Sequence, residues 1–142
     1  MSLYQFFASE KEMPELNNMN TGGLSYDESE NISFYSNDET FVPMRILKED
    51  DLHYARQFTD KKFINFIEWG YSDTNAKVII QYIKILLKNS FTVSLYNTWM
   101  DEKSDVVVKK ICIDELSIKD IKDIWGQEFF NENECLIVYK VR

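Results

Sequence analysis

The chain has 142 residues, 44% apolar and 15% aromatic, with a formal charge of −8. That length fits one domain with a substantial core. The charge argues against a phosphate-backbone binder, which needs a basic surface, and no apolar run approaches the ~20 residues that cross a bilayer as a helix.

The charge is unevenly placed. Residues 10–51 carry eleven acids against three bases, which accounts for the whole imbalance, while residues 52–142 carry thirteen of each. The start, Met1 to Phe7, lacks the basic region and apolar run of a signal peptide. With two lone cysteines, Cys112 and Cys135, this points to a cytoplasmic protein.

Leu3 to Ala8 reads as a strand, followed by about twenty polar residues containing Pro14, Gly22 and Gly23, which read as a loop. Ile32–Tyr35 and Phe41–Leu47 read as short strands around a turn at Ser36-Asn37-Asp38-Glu39, with Pro43 marking a sheet edge. Glu49, Asp50 and Asp51 suit the positive N-terminus of a short helix over Leu52–Phe58.

Lys61 to Trp69 alternates, with Phe63, Ile67 and Trp69 on one face and Ile64 and Phe66 on the other. A strand apolar on both faces belongs in a sheet interior. Ser72, Asp73 and Thr74 offer capping oxygens for a helix whose apolar set is Ala76, Ile79, Ile80, Ile83, Leu86 and Leu87. Asn89-Ser90 stops it. Phe91–Trp99 is a second strand, with Phe91, Val93 and Leu95 facing one way and Thr92, Ser94, Tyr96 and Thr98 the other. A polar loop over 101–105 leads to a β-branched third strand, Val106–Ile113. A second helix starts at Asp114 or Ser117. Ser117 and Asp120 resemble a capping box, Ile118, Ile121, Ile124 and Trp125 line its buried side, and Gly126 stops it. Phe129 and Phe130 cover the core's end, and Glu134–Val141 is the last strand.

Strand, helix, strand, strand, helix, strand is the order of a ferredoxin-like plait, an α+β fold with a four-stranded antiparallel sheet and two helices on one face. The expected organisation is one domain: the plait at 61–142 and an acidic N-terminal extension at 1–60. The extension has too few apolar residues to fold alone, so it either lengthens the sheet or covers its open face.

Motifs for chemistry are sparse. His53 is the sole histidine; it pairs with Asp50 or Asp51 in a general-base reading, but on a short surface helix it is more simply incidental. Neither cysteine adjoins an activating base in sequence, so both read as buried structural thiols. Neither a Gly-rich phosphate loop nor a nucleophile, zinc or calcium signature occurs, and no cofactor or metal is implied. RNA-recognition modules share the plait, yet the strand Val106–Ile113 lacks their stacking aromatics.

The remaining surface is the sheet face opposite the helices, bearing Ile64, Phe66, Tyr96, Val106, Val108 and Cys112, with Trp99 at a strand end. Such a patch needs a cover, either the first sixty residues or a second copy in a homodimer. Phe66, Tyr96, Trp99 and His53 are the candidate interaction or pocket residues. Asp27, Glu28, Glu30, Glu49, Asp50 and Asp51 form a candidate acidic surface for a basic protein partner or a cation. The expectation is a small non-enzymatic binding or regulatory protein that acts through protein contacts. The alternative is a small enzyme or ligand binder with a pocket between the open face and its covering segment.

Overall fold

A computed structural model of the chain describes residues 3–20, 24–26, 31–35, 44–99, 105–126 and 132–141. The strands are β1 (Leu3–Ser9), β2 (Glu15–Asn20), β3 (Leu24–Tyr26), β4 (Asn31–Tyr35), β5 (Met44–Lys48), β6 (Phe63–Trp69), β7 (Thr92–Trp99), β8 (Val106–Cys112) and β9 (Asn133–Tyr139). The helices are α1 (Asp73–Leu86) and α2 (Ile118–Trp125).

Both helices form as their caps dictate. The Ser72 hydroxyl accepts the Asn75 N–H at 3.0 Å, and Ala76, Ile79, Ile80, Ile83 and Leu86 of α1 are all buried. The Ser117 backbone N–H donates to Asp120 Oδ2 at 2.8 Å, completing a capping box with aspartate in the usual glutamate place. At the far end of α2, a Cβ on Gly126 would lie 2.9 Å from both the Lys122 carbonyl oxygen and the Tyr71 ring. That close approach requires glycine.

The sheet corrects the four-stranded plait. It is mixed and nine-stranded, in the order β3-β4-β2-β5-β6-β1-β7-β9-β8. A plait would set β6 between β8 and β9; instead β1 lies between β6 and β7, antiparallel to both. The reason is burial. Phe6, Phe7 and Ala8 are each 0% exposed, and a strand apolar on both faces gains most in a sheet interior. The same rule placed β6 at the centre, and β1 satisfies it more completely. With β1 inserted, β6 and β7 run parallel one strand apart, joined by α1. β8 and β9 become direct parallel neighbours joined by α2.

The polar stretch read as a loop contains β2 and β3. β2 has only Leu16 and Met19 as apolar residues in six, so no alternation announces it. It is held by backbone ladders to β5 on one side and to β4 on the other, and by Leu16 opposite Ile46, both 0% exposed. β4 matches the strand expected at Ile32–Tyr35, and β5 the latter half of Phe41–Leu47. The turn at 36–39, Pro43, Phe129 and Phe130 lie outside the described residues.

The two sheet faces carry separate cores. Phe7, Ile46, Ile67, Leu95 and Val138 pack under Ile79, Ile83, Ile121 and Trp125 of the helices. Phe7 meets the Trp125 ring edge-on at 4.9 Å and Tyr82 at 5.2 Å. On the opposite face Phe6, Ala8, Ile64, Tyr96 and Cys135 are covered by Leu52, Ala55 and Phe58. The helix expected over Leu52–Phe58 is only a 3-10 turn at Ala55–Gln57. Arg56 stops it, because its guanidinium donates to the carbonyls of Thr59, Lys61 and Lys62 and draws the chain away.

The architecture makes β1 indispensable. Phe7→Ala is expected to lower stability by about 3–5 kcal/mol in urea denaturation, and removing residues 1–9 to abolish the cooperative transition. A truncated chain that still unfolds cooperatively would restore the plait with β1 as an appendage.

Candidate partner-binding edge

The residues singled out from the sequence do not converge. Tyr96 and Phe66 share the face opposite the helices, linked through Phe6, whose ring stacks on Tyr96 at 4.8 Å with 6° between planes. Trp99 lies three positions along β7 from Tyr96, an odd step that puts it on the helix face. Its backbone N–H donates to Asn133 Oδ1 at 2.9 Å. His53 is exposed, with its ring edge-on to Tyr54 at 5.3 Å, and is outside the Tyr96 cluster. The Asp51 carboxylate accepts the His53 backbone N–H at 3.0 Å, which caps a turn.

Tyr96 itself is structural in its contacts. Its hydroxyl donates to the Phe58 carbonyl at 3.3 Å and fastens the covering segment to the sheet. Burial pushes the phenol up to about 12, with the neighbouring Cys135 thiol and Asp60 acting in the same direction. Burial likewise raises the Cys135 thiol. A thiol held protonated is a poor nucleophile. Both cysteines are free and buried.

Among the described acids of the first third, Glu12, Glu15, Glu49 and Asp51 are bonded to their own chain. Glu49 accepts the Tyr4 hydroxyl at 2.9 Å. Burial first, then that bond, raises the Tyr4 phenol. Glu12 pairs with Lys48 at 2.7 Å, and the lysine holds its carboxyl below the usual range. Glu15 accepts the Lys48 backbone N–H at 3.1 Å. Asp50 is exposed, and Asp27, Glu28 and Glu30 lie outside the described residues. These bonds pin the loops at one end of the sheet.

The feature left unspent is at the other side of the sheet. β8 pairs with β9 alone among the described residues, so one of its edges carries free backbone N–H and C=O groups. It is seven residues long, and Val107, Val108, Lys109 and Lys110 are exposed. Val108 is 53% exposed, and Tyr139 on β9, opposite Cys112, is 36% exposed.

Alternation gives β8 two unlike faces. Toward the helices, Lys109 lines a hollow of about 140 Å³ with Asp120, Asp123 and Glu134, so its charge is locally balanced. On the opposite face, Lys110 lines a wider groove of about 470 Å³ with Lys61, Thr92, Ile137 and Tyr139, and no acid lines it. Lys61 Nζ donates to Thr92 Oγ1 at 3.3 Å. The sequence reading missed this edge, although a signal was present. Two adjacent lysines place one charge on each face of a strand, which fits an edge and not the interior position a plait assigns.

Among the described residues, no group of three or more His, Cys, Asp or Glu side chains is placed to hold a metal ion, and no helix is long and apolar enough to cross a membrane. Comparison with protein-family models, with curated proteins and with solved structures finds no match to the chain. The functional argument therefore rests on the surfaces themselves.

Tyr96 supplies a pH test of the covered face. Its folded-state value lies above the free phenol's value of about 10, so its neutral form contributes stability that is present below pH ~10 and lost as pH rises toward ~12. Alkaline denaturation followed by circular dichroism should show that decline. Tyr96→Phe should make it shallower, since Tyr4, Tyr71 and Tyr82 are raised as well, and cost about 0.5–1.5 kcal/mol at neutral pH through the lost bond to Phe58. An unchanged alkaline limb in the variant would remove Tyr96 as the titrating group.

Proposed function

We propose that this chain is a small non-enzymatic binding protein that acts through protein contacts, and that it makes them by accepting a partner's strand at β8. The observation that carries this reading is the edge itself: seven residues, β-branched or basic apart from Cys112, hydrogen-bonded on one side only among the described residues. Strand addition draws affinity from main-chain hydrogen bonds and specificity from alternate side chains. Both are on offer here, since the free backbone edge carries Val108 and Lys110 exposed at alternate positions. The free thiols Cys112 and Cys135 suit a reducing compartment, and we read the protein as cytoplasmic.

A ligand pocket between the sheet and its covering segment has less support. Where that pocket was expected, Tyr4, Phe6, Phe58 and Tyr96 pack ring against ring, with centroids 4.8–6.5 Å apart. Those rings fill the interface around Tyr96, and the hollow of about 210 Å³ beside Leu52 and Ile64 lies away from them.

The test is to recover a partner from native extract and map amide hydrogen exchange with and without it. Slowed exchange should fall on β8. Protection confined to residues 49–60 instead would favour the covered face and overturn the edge reading. Adjacent N–H groups point to opposite sides of a strand, so of Val107→Pro and Val108→Pro one removes an inward ladder bond and one an outward donor. The variant that stays folded should lose the partner. His53→Ala should bind as the unaltered chain does and shift stability by less than about 0.5 kcal/mol.

A further inference from the structure

A second site lies on the face of the sheet, apart from the strand edge. We propose that it binds a small organic dianion, an apolar chain with a carboxylate at each end. The covering segment shields only part of the face opposite the helices: Leu52, Ala55 and Phe58 pack on Phe6, Ile64 and Tyr96. None of those three covering residues lines the groove of about 470 Å³ whose floor is Ile137 and Tyr139 of β9. That volume is in the range of small-molecule sites. Its two lysines flank the floor. Thr92 of β7 is the register partner of Tyr139, and Lys110 of β8 is the partner of Ile137. Because β9 runs between β7 and β8, the two sides stand about 10 Å apart, two strand spacings. Lys61 is held on the β7 side, where its Nζ donates to Thr92 Oγ1 at 3.3 Å. Its backbone is fixed as well: the N–H donates to Thr59 Oγ1 at 3.1 Å, and the carbonyl accepts from Arg56. A cation placed in this way has little freedom left to lose when it meets a ligand.

Charge decides the occupant. Among the described residues neither lysine takes part in an ion pair, and no carboxylate lines the groove. In a chain with 24 acids against 16 bases, the groove is thus a local excess of positive charge. An inorganic anion would use the ammonium groups and leave the apolar floor wet. A neutral apolar molecule would cover the floor and leave both charges unanswered. A chain with two carboxylates meets both demands, one end on Lys61 and the other on Lys110, with its methylenes over Ile137 and Tyr139. A diamine of the same length is rejected by like charge.

Decanedioate, decanediol, decanediamine and butanedioate test this when each is titrated into the full chain and followed by amide chemical shifts. Decanedioate should move the Thr92, Lys110, Ile137 and Tyr139 amides saturably. The diol should bind about tenfold more weakly, as expected for two exposed ion pairs lost. Butanedioate, too short to reach both lysines, and the diamine should leave those amides unmoved. In the Lys61→Gln, Lys110→Gln double variant decanedioate should fall to the level of the diol. Lys110→Gln alone, at an exposed position, keeps the test readable if the double variant is unstable, with a loss of about threefold expected. Equal affinity for decanedioate and the diol would overturn the charge requirement, and equal affinity for butanedioate would overturn recognition at two ends. Unchanged binding by the variants, or no movement of these amides with any ligand, would remove the site. The strand-addition reading stands or falls separately, since its hydrogen-bonding groups lie on the outer edge of β8.

Discussion

The structure depends on a single strand buried on both faces. β1 sends Phe7 into the helix-side core and Phe6 and Ala8 into the opposite core, and all three are 0% exposed. Its neighbours on both sides come from distant parts of the chain. β6 and β7 could pair directly only by expelling it. Because β1 is antiparallel to both, it fixes them as parallel strands one position apart, and α1 must then cross over it. The helices, the second core and the outward displacement of β9 and β8 follow from that insertion.

Buried polar groups set the register of the assembly. Gln5 on β1 accepts the Trp69 indole N–H at 2.9 Å and donates to Asn97 Oδ1 at 3.1 Å, so one side chain spans β6, β1 and β7. The Trp125 indole donates to the Tyr96 carbonyl at 3.0 Å and docks α2 on the same region. On the other flank, Asn65 donates to the Met13 carbonyl at 3.2 Å and the Tyr82 hydroxyl donates to the Pro14 carbonyl at 2.6 Å. These bonds tie the 10–14 connection down between β6 and α1. A slip of one residue in β1 or β6 would leave several of these groups buried without partners, each at a cost of about 1–3 kcal/mol. Apolar burial selects the centre of the sheet, and polar satisfaction selects its alignment.

What could be read from the sequence follows from which residues carry local signals. The α1 face from Ala76 to Leu87, the Ser117–Asp120 cap and the alternation of β6 and β7 depend on spacing within one element, and spacing is visible in a string of letters. The topology was not visible, because Phe6 and Phe7 say that β1 is enclosed without saying by what. β2 escaped for a different reason. Its six residues are held by ladders to β4 and β5, and a backbone ladder leaves no mark on composition. The open edge at β8 escaped through topology alone. With β8 assigned to the interior, Lys109 and Lys110 were anomalies; at the edge they are expected. Phe66 and Tyr96 were correctly paired on one face, yet the cover over them is packed with rings.

The two margins of the sheet are not equivalent, and the difference bears on function. β3 is three residues long, and a short margin offers an incoming strand few main-chain bonds. β8 is seven residues long and β-branched through its first half, so it offers a full ladder. A margin of that length would ordinarily be a liability for aggregation. Here Lys109 and Lys110 sit near its middle, where two copies meeting edge to edge must oppose them. Protection by charge differs from protection by shortness or by a covering helix: it repels like edges and leaves the hydrogen-bonding groups available to an unlike one. On the strand-addition reading, an edge kept long, open and charged admits an unlike strand while repelling its own kind.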